Sequence, residues 1–443
     1  MSNNSRINTK NIRNLHTFDS FRNSNYRLLW GTNISMYVSR WMQMTTLSWF
    51  VLDQTNSPFS VGLVGFFGMV PFLVLGIFGG FLADKLDRKK LIVMTQFLNL
   101  AAATVMSLLF IFGSVEYWYA YIAIFIPGLG WSLDNPSRRS LIMDMLGSRG
   151  ITNGVALDSV GMHVSKMIGP ALAGAMIFLV GVGGSYVMLT SFMSVGCLLI
   201  LKVSHSKNRI DVANEGDDRV GISEIYANLT EGFKYAFTNQ TISAVIVITI
   251  LMNLLLFPYM QMVTVISKGI LNVGPLLMGI LMASDGLGAL IGSIGIASQS
   301  RMKYHGRIYL YGSLLSLVAL FLFSNSSWYF LSLLVLLFLG IGTSGFGTMQ
   351  STIVLLVSKA ELRGRVLGVV TIAIGAGPIG SLIIGAISEW IGAPNALMIN
   401  SVIGFLLVAI AGLFMPSIRE KIIPFVEAEA ANQPTRSGLS TKV

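Results

Sequence analysis

Stretches such as Leu317–Phe323 and Leu333–Leu339 run without one polar residue, and apolar runs of this kind recur along the whole chain. Crossing a bilayer takes about 20 mostly apolar residues in a helix, because in hydrocarbon every backbone N–H and C=O must be satisfied inside its own segment. Broken at Gly, Pro, Asn and charge clusters, the runs number twelve: roughly 27–52, 58–83, 90–113, 117–137, 151–181, 184–203, 240–266, 273–298, 307–325, 328–356, 364–389 and 393–415. The reading is an all-α membrane protein with twelve transmembrane helices. An outer-membrane barrel would instead alternate apolar and polar residues over short segments. Of 443 residues 53% are hydrophobic and only 11% charged, against about 25% charged in soluble domains. The 46 glycines suit helices packed closely in lipid.

The net charge of +10 is a topology signal once the charges are placed along the chain. An even number of spans puts both ends on one side. All but three of the 30 Lys and Arg residues then fall on that side, in the N-terminal arm, the alternate loops and the tail. The exceptions are Lys268 in an opposite loop, and Arg40 and Lys166 inside spans. Basic loops stay cytoplasmic, so both termini are expected inside a plasma (inner) membrane. Arg138, Arg139 and Arg149 count here as loop charges after span 4. The first 25 or so residues lack the short apolar core of a signal peptide.

The stretch 204–239 is the longest polar one and divides the spans six and six. The expected organisation is an N-terminal arm (1–26), a six-helix bundle (27–203), a linker (204–239), a second bundle (240–415) and a tail (416–443). Ile225, Leu229, Phe233 and Phe237, four apart, predict an amphipathic linker helix along the membrane interface. Sliding the halves by 212 positions lays Val61-Gly62 on Val273-Gly274, Gly80 on Gly292 and Gly128 on Gly340. Arg149-Gly150-x-x-x-Gly154 matches Arg363-Gly364-x-x-x-Gly368 at an offset of 214. Span 2 thus corresponds to span 8, 4 to 10 and 5 to 11. Such a parallel repeat is the mark of a transporter whose two bundles rock about a central site.

At the end of span 2 the chain reads Gly79-Gly80-Phe81-Leu82-Ala83-Asp84-Lys85-Leu86-Asp87-Arg88-Lys89-Lys90. This resembles the loop 2–3 signature of the major facilitator superfamily, with Asp87 where glycine is usual; an aspartate can take the positive φ of a tight turn. Phe21-Arg22-Asn23, Trp41-Met42-Gln43, Asp134-Asn135-Pro136-Ser137-Arg138-Arg139 and Ile168-Gly169-Pro170 are similar to a branch of drug and siderophore exporters. The resemblance runs from Phe21 to about residue 415. It implies two pseudo-symmetric six-helix bundles, and a cytoplasmic gate in which Arg88 bridges Asp84 to Asp134.

Charges left inside spans are functional candidates, since each costs about 2.5–3.5 kcal/mol at mid-bilayer on insertion scales. Asp285 in span 8 and Arg40 in span 1 lie near mid-depth; Asp158, His163 and Lys166 lie on span 5. All five are candidates for proton coupling or substrate binding. The plainer alternative is a static Arg40–Asp285 or Lys166–Asp285 ion pair, with His163 a hydrogen-bonded packing residue. Asp158 and Lys166 are about 12 Å apart along the helix and are not expected to pair. Gly169-Pro170 interrupts one backbone hydrogen bond and predicts a bend in span 5 as a gating helix. Trp41, Gln43, Trp131, Asn253, Gln261 and Gln350 are further candidates to line the central path.

The chain has no phosphate-binding Gly-x-x-x-x-Gly-Lys-(Ser/Thr) loop and no metal-ligand cluster, and its single cysteine is Cys197. No enzyme activity, metal or cofactor is therefore expected. The resemblance implies a secondary transporter, proton-coupled, that expels amphipathic small molecules by alternating access. Uptake or facilitated diffusion of a metabolite is the alternative within transport, and a membrane scaffold or enzyme the alternative outside it. The expected partners are a small-molecule substrate, a coupling ion (H⁺) and the lipid bilayer, with no nucleic acid, and the expected state is a monomer.

Overall fold

The computed structural model describes residues 16–85, 87–204, 222–299 and 302–422. Among them eight helical segments are long and apolar enough to cross a membrane, and one of these, Gly150–Lys202, is 53 residues long and contains two spans. Ser24–Thr55, Pro58–Lys85 and the stretch 119–146 complete the twelve. Span 1 (Ser24–Thr55) starts where Asn23 accepts from the N–H groups of Asn25 and Tyr26, and ends at Asn56 in the left-handed region. Span 3 (Arg88–Phe112) is capped by Asp87, whose carboxylate accepts from the Lys90 N–H. Asp87 has φ −57°, so it replaces glycine in the signature as a helix cap and not through a positive-φ turn.

Tyr119–Lys202 carries three spans in one helical run, broken only at Gly147 (φ 66°) and Gly181 (φ 76°). A positive φ with extended ψ is open to glycine and very few other residues, and it lets each helix reverse without a loop. Span 4 therefore reaches residue 146, beyond the expected 137, and span 5 begins at about 148. This corrects one assignment: Arg138 is not a loop charge but a buried helical residue, 4% exposed. Span 5 keeps helical backbone angles through Gly169-Pro170. Pro170 leaves one carbonyl of the helix without its N–H donor, and Gly169 admits span 1, the backbone of Val38 and Met42 lying against it.

Span 7 joins Gln240–Leu251, a π turn Met252–Leu256, and Tyr259–Gly269. Pro258 has no N–H to give, and the Phe257 N–H reaches back five residues to the Met252 carbonyl. Spans 8 (Pro275–Ala297), 9 (His305–Ser324) and 10 (Tyr329–Val357) follow; span 11 is Arg363–Ile374 with Ala376–Ile391, and span 12 is Ala393–Phe414. A linker helix, Ile222–Thr238, lies against the start of span 11, where Arg365 pairs with Glu231.

The apolar cores divide with the halves. One cluster draws its buried residues from Ala236 to Ile422, and two others draw theirs from Tyr26 to Val203. Large apolar side chains such as Leu179, Phe112 and Phe414 face outward, as lipid requires. The halves meet on the face opposite the chain ends. There Lys268 Nζ pairs with Asp53 at 2.7 Å, and Glu389 accepts from the Ser57 hydroxyl (2.8 Å) and the Phe59 N–H (3.0 Å). Glycines set the approach. A Cβ on Gly62 of span 2 would stand 2.7 Å from the Ser381 carbonyl of span 11, and Gly174 of span 5 lies against Pro275 and Gly279 of span 8.

Gly174→Leu is expected to prop this face open. Thiol labelling of a Ser381→Cys reporter, in a chain whose native Cys197 is buried, should then rise several-fold. Labelling unchanged by the leucine would show that glycine contact does not close the face.

Candidate ion and substrate pathway

At mid-depth the two halves share an ion pair. Gly286 of span 8 packs so tightly on span 5 that a Cβ there would lie 2.6 Å from the Met167 nitrogen. This closeness brings Lys166 Nζ to 2.7 Å from Asp285 Oδ2. The same oxygen accepts from the Tyr259 hydroxyl at 2.6 Å, and Tyr259 is set in place by the π turn and Pro258 one residue before it. Asp285 is 3% exposed, and its Oδ1 is buried without a hydrogen-bond partner among the described residues. A narrow cleft beside the pair is lined by Trp41, Lys166, Pro170, Tyr259, Met282 and Asp285. The Lys166 ammonium stands 5.8 Å from the Trp41 ring centre, within reach of its π face. One turn away, His163 Nε2 and the Ser293 hydroxyl are 3.3 Å apart, a second polar contact between spans 5 and 8.

Of the ion pairs weighed from sequence, the geometry selects Lys166–Asp285. Arg40 stays within the N-terminal half: its Nη1 donates to the Pro127 carbonyl at 3.4 Å, and its guanidinium stacks 4.9 Å over Trp131. Asp158 and Lys166 do not pair. Asp158 instead accepts from Asn33 Nδ2 (2.8 Å) and the Tyr37 hydroxyl (3.0 Å) of span 1.

The expected gate differs in its partners. Arg88 Nη1 lies 2.6 Å from Asp144, not on Asp134. Asp134 pairs with Arg138 Nη2 at 2.8 Å and accepts from Thr95 at 3.2 Å. The side chain of Asp84 lies outside the described residues. Arg88–Asp144 and Arg138–Asp134 each join parts of one half. Among the described residues the ion pairs between the halves are Lys166–Asp285 at mid-depth and Asp53–Lys268 on the opposite face.

Among the other candidates for the path, Trp41 lines the cleft. Gln43 does not: it is fully buried, donating to the Ala123 carbonyl (2.9 Å) that Pro127, lacking an N–H, leaves free, and contacting the Tyr186 hydroxyl. Gln350 donates to Thr249 Oγ1, Asn253 to the Thr249 carbonyl, and Gln261 packs on Gly65. Gln43 and Gln350 tie helices together within a bundle, Gln261 packs between the two bundles, and Asn253 bonds back within span 7. Sequence reasoning missed Tyr259, Tyr37 and Asn33. It also misread Arg138, although the Asp134-x-x-x-Arg138 spacing is that of a helical ion pair.

Removing one partner of a buried pair strands the other, at a cost of about 3–5 kcal/mol. Lys166→Met is expected to lower the thermal unfolding midpoint, and Lys166→Met with Asp285→Asn to recover most of the loss. Equal loss in both variants would show that the pair is not what the stability depends on.

Residues 15–435 match the family profile described as transmembrane secretion effector. The multidrug efflux pump Tap of Mycolicibacterium fortuitum is 24% identical over 382 residues, 84% of this chain and 91% of that protein. Macrolide efflux protein A of Streptococcus pyogenes is 20% identical over 413 residues, 92% of this chain and 98% of that protein. Among solved structures, a bacterial homologue of the human lysosomal transporter Spinster, inward-facing and unoccupied, aligns with TM-score 0.67 at 14% identity, covering 90% of this chain and 98% of that one. The nucleoside transporter NupG aligns with TM-score 0.67 at 13% identity, covering 88% and 98%. The fold is that of the major facilitator superfamily, and the chain belongs to its transmembrane secretion effector family.

Proposed function

We propose that this transporter exports amphipathic small molecules from the cytoplasm in exchange for protons, and that Asp285 carries the coupling proton. The observation that carries the reading is the buried Lys166–Asp285 pair, which joins the two halves beside the central cleft with one carboxylate oxygen unpartnered. The asymmetry of basic residues supports a cytoplasmic location for both termini in a plasma membrane. On that orientation the halves touch on the outer face, and the conformation is closed to the outside. The relatives named as efflux proteins support export and a drug-like substrate. Both halves of the moving interface come from one chain, which supports a monomer as the working unit.

The chemistry follows from charge. With Asp285 ionised, Lys166 clamps span 5 to span 8 and holds the halves in register. A proton on Asp285 Oδ1 removes the carboxylate charge, and the ammonium loses its counter-ion. A substrate that displaces Lys166 from the cleft loosens the same clamp. Either event frees the bundles to rock, and the empty deprotonated carrier stays locked. That rule produces exchange and prevents leak. Trp41, Met282 and Met260 give the narrow cleft an apolar, adaptable wall that a substrate meets only once the bundles part.

Reconstituted protein should accumulate ethidium or a macrolide in inside-out vesicles only when a proton gradient is imposed. Asp285→Asn is expected to abolish gradient-driven accumulation at least about tenfold while leaving a folded, monodisperse protein. Accumulation that needs no gradient, or that survives in Asp285→Asn, would contradict the coupling.

A further inference from the structure

Spans 9 and 12 run side by side in the second half. Gly412 of span 12 lies against Leu310 of span 9, and Gly404 against Leu317. Beside Gly404 the seam opens into a groove of about 250 Å³, walled by Val318 and Phe321 on one side and by Val402, Phe405 and Leu406 on the other. These five side chains are apolar and exposed. Ser401 in its floor already donates to the Met398 carbonyl. The groove therefore offers a ligand no polar partner and takes hydrocarbon.

At the end of the same two spans, where the chain terminates, the seam meets a cluster of cations. The turn Pro416–Ile418 packs on the start of span 9, with the Ile418 carbonyl filling the space beside Gly306. The Ile422 N–H donates to the Lys303 carbonyl at 3.2 Å. This packing gathers Lys303, Arg307, Arg419 and Lys421 around one carboxylate, Glu420. Arg307 is held in place: its Nε donates to the Arg419 carbonyl at 2.7 Å, and its guanidinium lies 4.1 Å from the Tyr304 ring centre. Its two Nη groups are left over on an exposed side chain, and no ion pair joins Arg307 to an acid among the described residues. Arg419 is half-buried, and its Nε has no acceptor among the described residues. Keeping a loop cytoplasmic takes positive charge alone. A stacked, hydrogen-bonded guanidinium with a free fork goes further, since that geometry receives a phosphate through paired hydrogen bonds.

The groove and the cluster are one acyl chain apart. Ten residues separate Arg307 from Leu317, about 15 Å along the helix axis, and one leaflet is half of a hydrocarbon core about 30 Å thick. We propose that the seam of spans 9 and 12 binds an anionic phospholipid, with its phosphate on Arg307 beside Lys303 and Arg419 and one acyl chain ending in the groove. The excess of cations selects an anionic headgroup over a zwitterionic one, and the cytoplasmic leaflet supplies such lipids. Through Arg307 the headgroup also fixes the segment after span 12 to the start of span 9. The site is remote from Asp285 and independent of the direction of transport.

Native mass spectrometry of the full-length protein, released from micelles holding equal amounts of phosphatidylglycerol and phosphatidylcholine, reads bound lipid directly. Phosphatidylglycerol adducts should dominate. Arg307→Gln should weaken phosphatidylglycerol binding at least about tenfold, the loss of a charge-assisted pair of hydrogen bonds. Arg307→Lys, which keeps the charge without the fork, should restore only part. Because Arg307 also holds the Arg419 carbonyl, Lys303→Gln serves as a second headgroup variant that leaves that bond intact, and a several-fold loss is expected. Val402→Trp fills the groove, leaves every cation in place and should weaken binding as well. Equal retention of the two lipids overturns the proposal, as does unchanged phosphatidylglycerol binding in both headgroup variants. Binding unchanged in Val402→Trp overturns the seat of the chain. Displacement of the lipid by millimolar inorganic phosphate would show a free-anion site instead. Failure of gradient-driven accumulation bears on the export reading and leaves these adducts unaffected.

Discussion

Span 5 and span 8 come from different halves of the chain, and they touch closely enough for a lysine on one to reach an aspartate on the other. That contact depends on Gly286 lying on the backbone at Lys166 and Met167, and on Gly174 lying on Gly279 about two turns further out. A side chain at either glycine would part the helices, and a pair parted by a few ångströms in a low-dielectric interior would be two uncompensated charges. The small residues and the ion pair are therefore one device: the glycines give the distance, and the distance makes the charges tolerable. Tyr259 adds to it from span 7, whose π turn and Pro258 rotate the second part of that helix toward the pair.

The polar residues inside the molecule separate into two sorts. Gln43 and Gln350 reach a carbonyl and a hydroxyl on other helices and fix helices within a bundle, while Asn253 bonds back to the Thr249 carbonyl of its own span. Lys166, Asp285 and His163 cross between bundles, where any change of protonation acts on the relative position of the halves. Asp134, Arg138, Asn33 and Asp158 form a line of alternating charge and dipole inside one bundle. Insertion into lipid is costly for both ionic groups, and each is satisfied by partners from other helices, in keeping with the rule that intramembrane charges persist only where protein solvates them.

Much of the architecture was legible in the chain before any coordinates. Hydropathy and the placement of Lys and Arg give twelve spans because the bilayer imposes a length and the loops impose a sign. Of the glycines that the repeat aligns, Gly128 and Gly340 both stand at close helix contacts, on Gly68 and Asp285, whereas Gly274 and Gly364 have open space around them. The errors have physical causes. Arg138 reads as a loop charge because one positive-φ glycine, Gly147, reverses the chain and lets span 4 run on past it. Asp87 reads as a turn residue, yet it caps span 3. Arg88 finds Asp144 rather than Asp134, because Arg138 already occupies the latter. Tyr259, Tyr37 and Asn33 carry no periodic signal. Their roles arise only when helices distant in sequence are brought side by side.

The central claim is that the charge on Asp285 governs whether the halves can part. Electron–electron spin resonance between labels at Gln54→Cys and Asn272→Cys, exposed positions at the ends of spans 1 and 7 on the joined face, measures that parting directly. At high pH the distance distribution should be single and short, and a longer population should grow as the pH falls. In an Asp285→Asn background the longer population should be present at every pH. A distribution that responds to neither the pH nor the substitution would contradict the account.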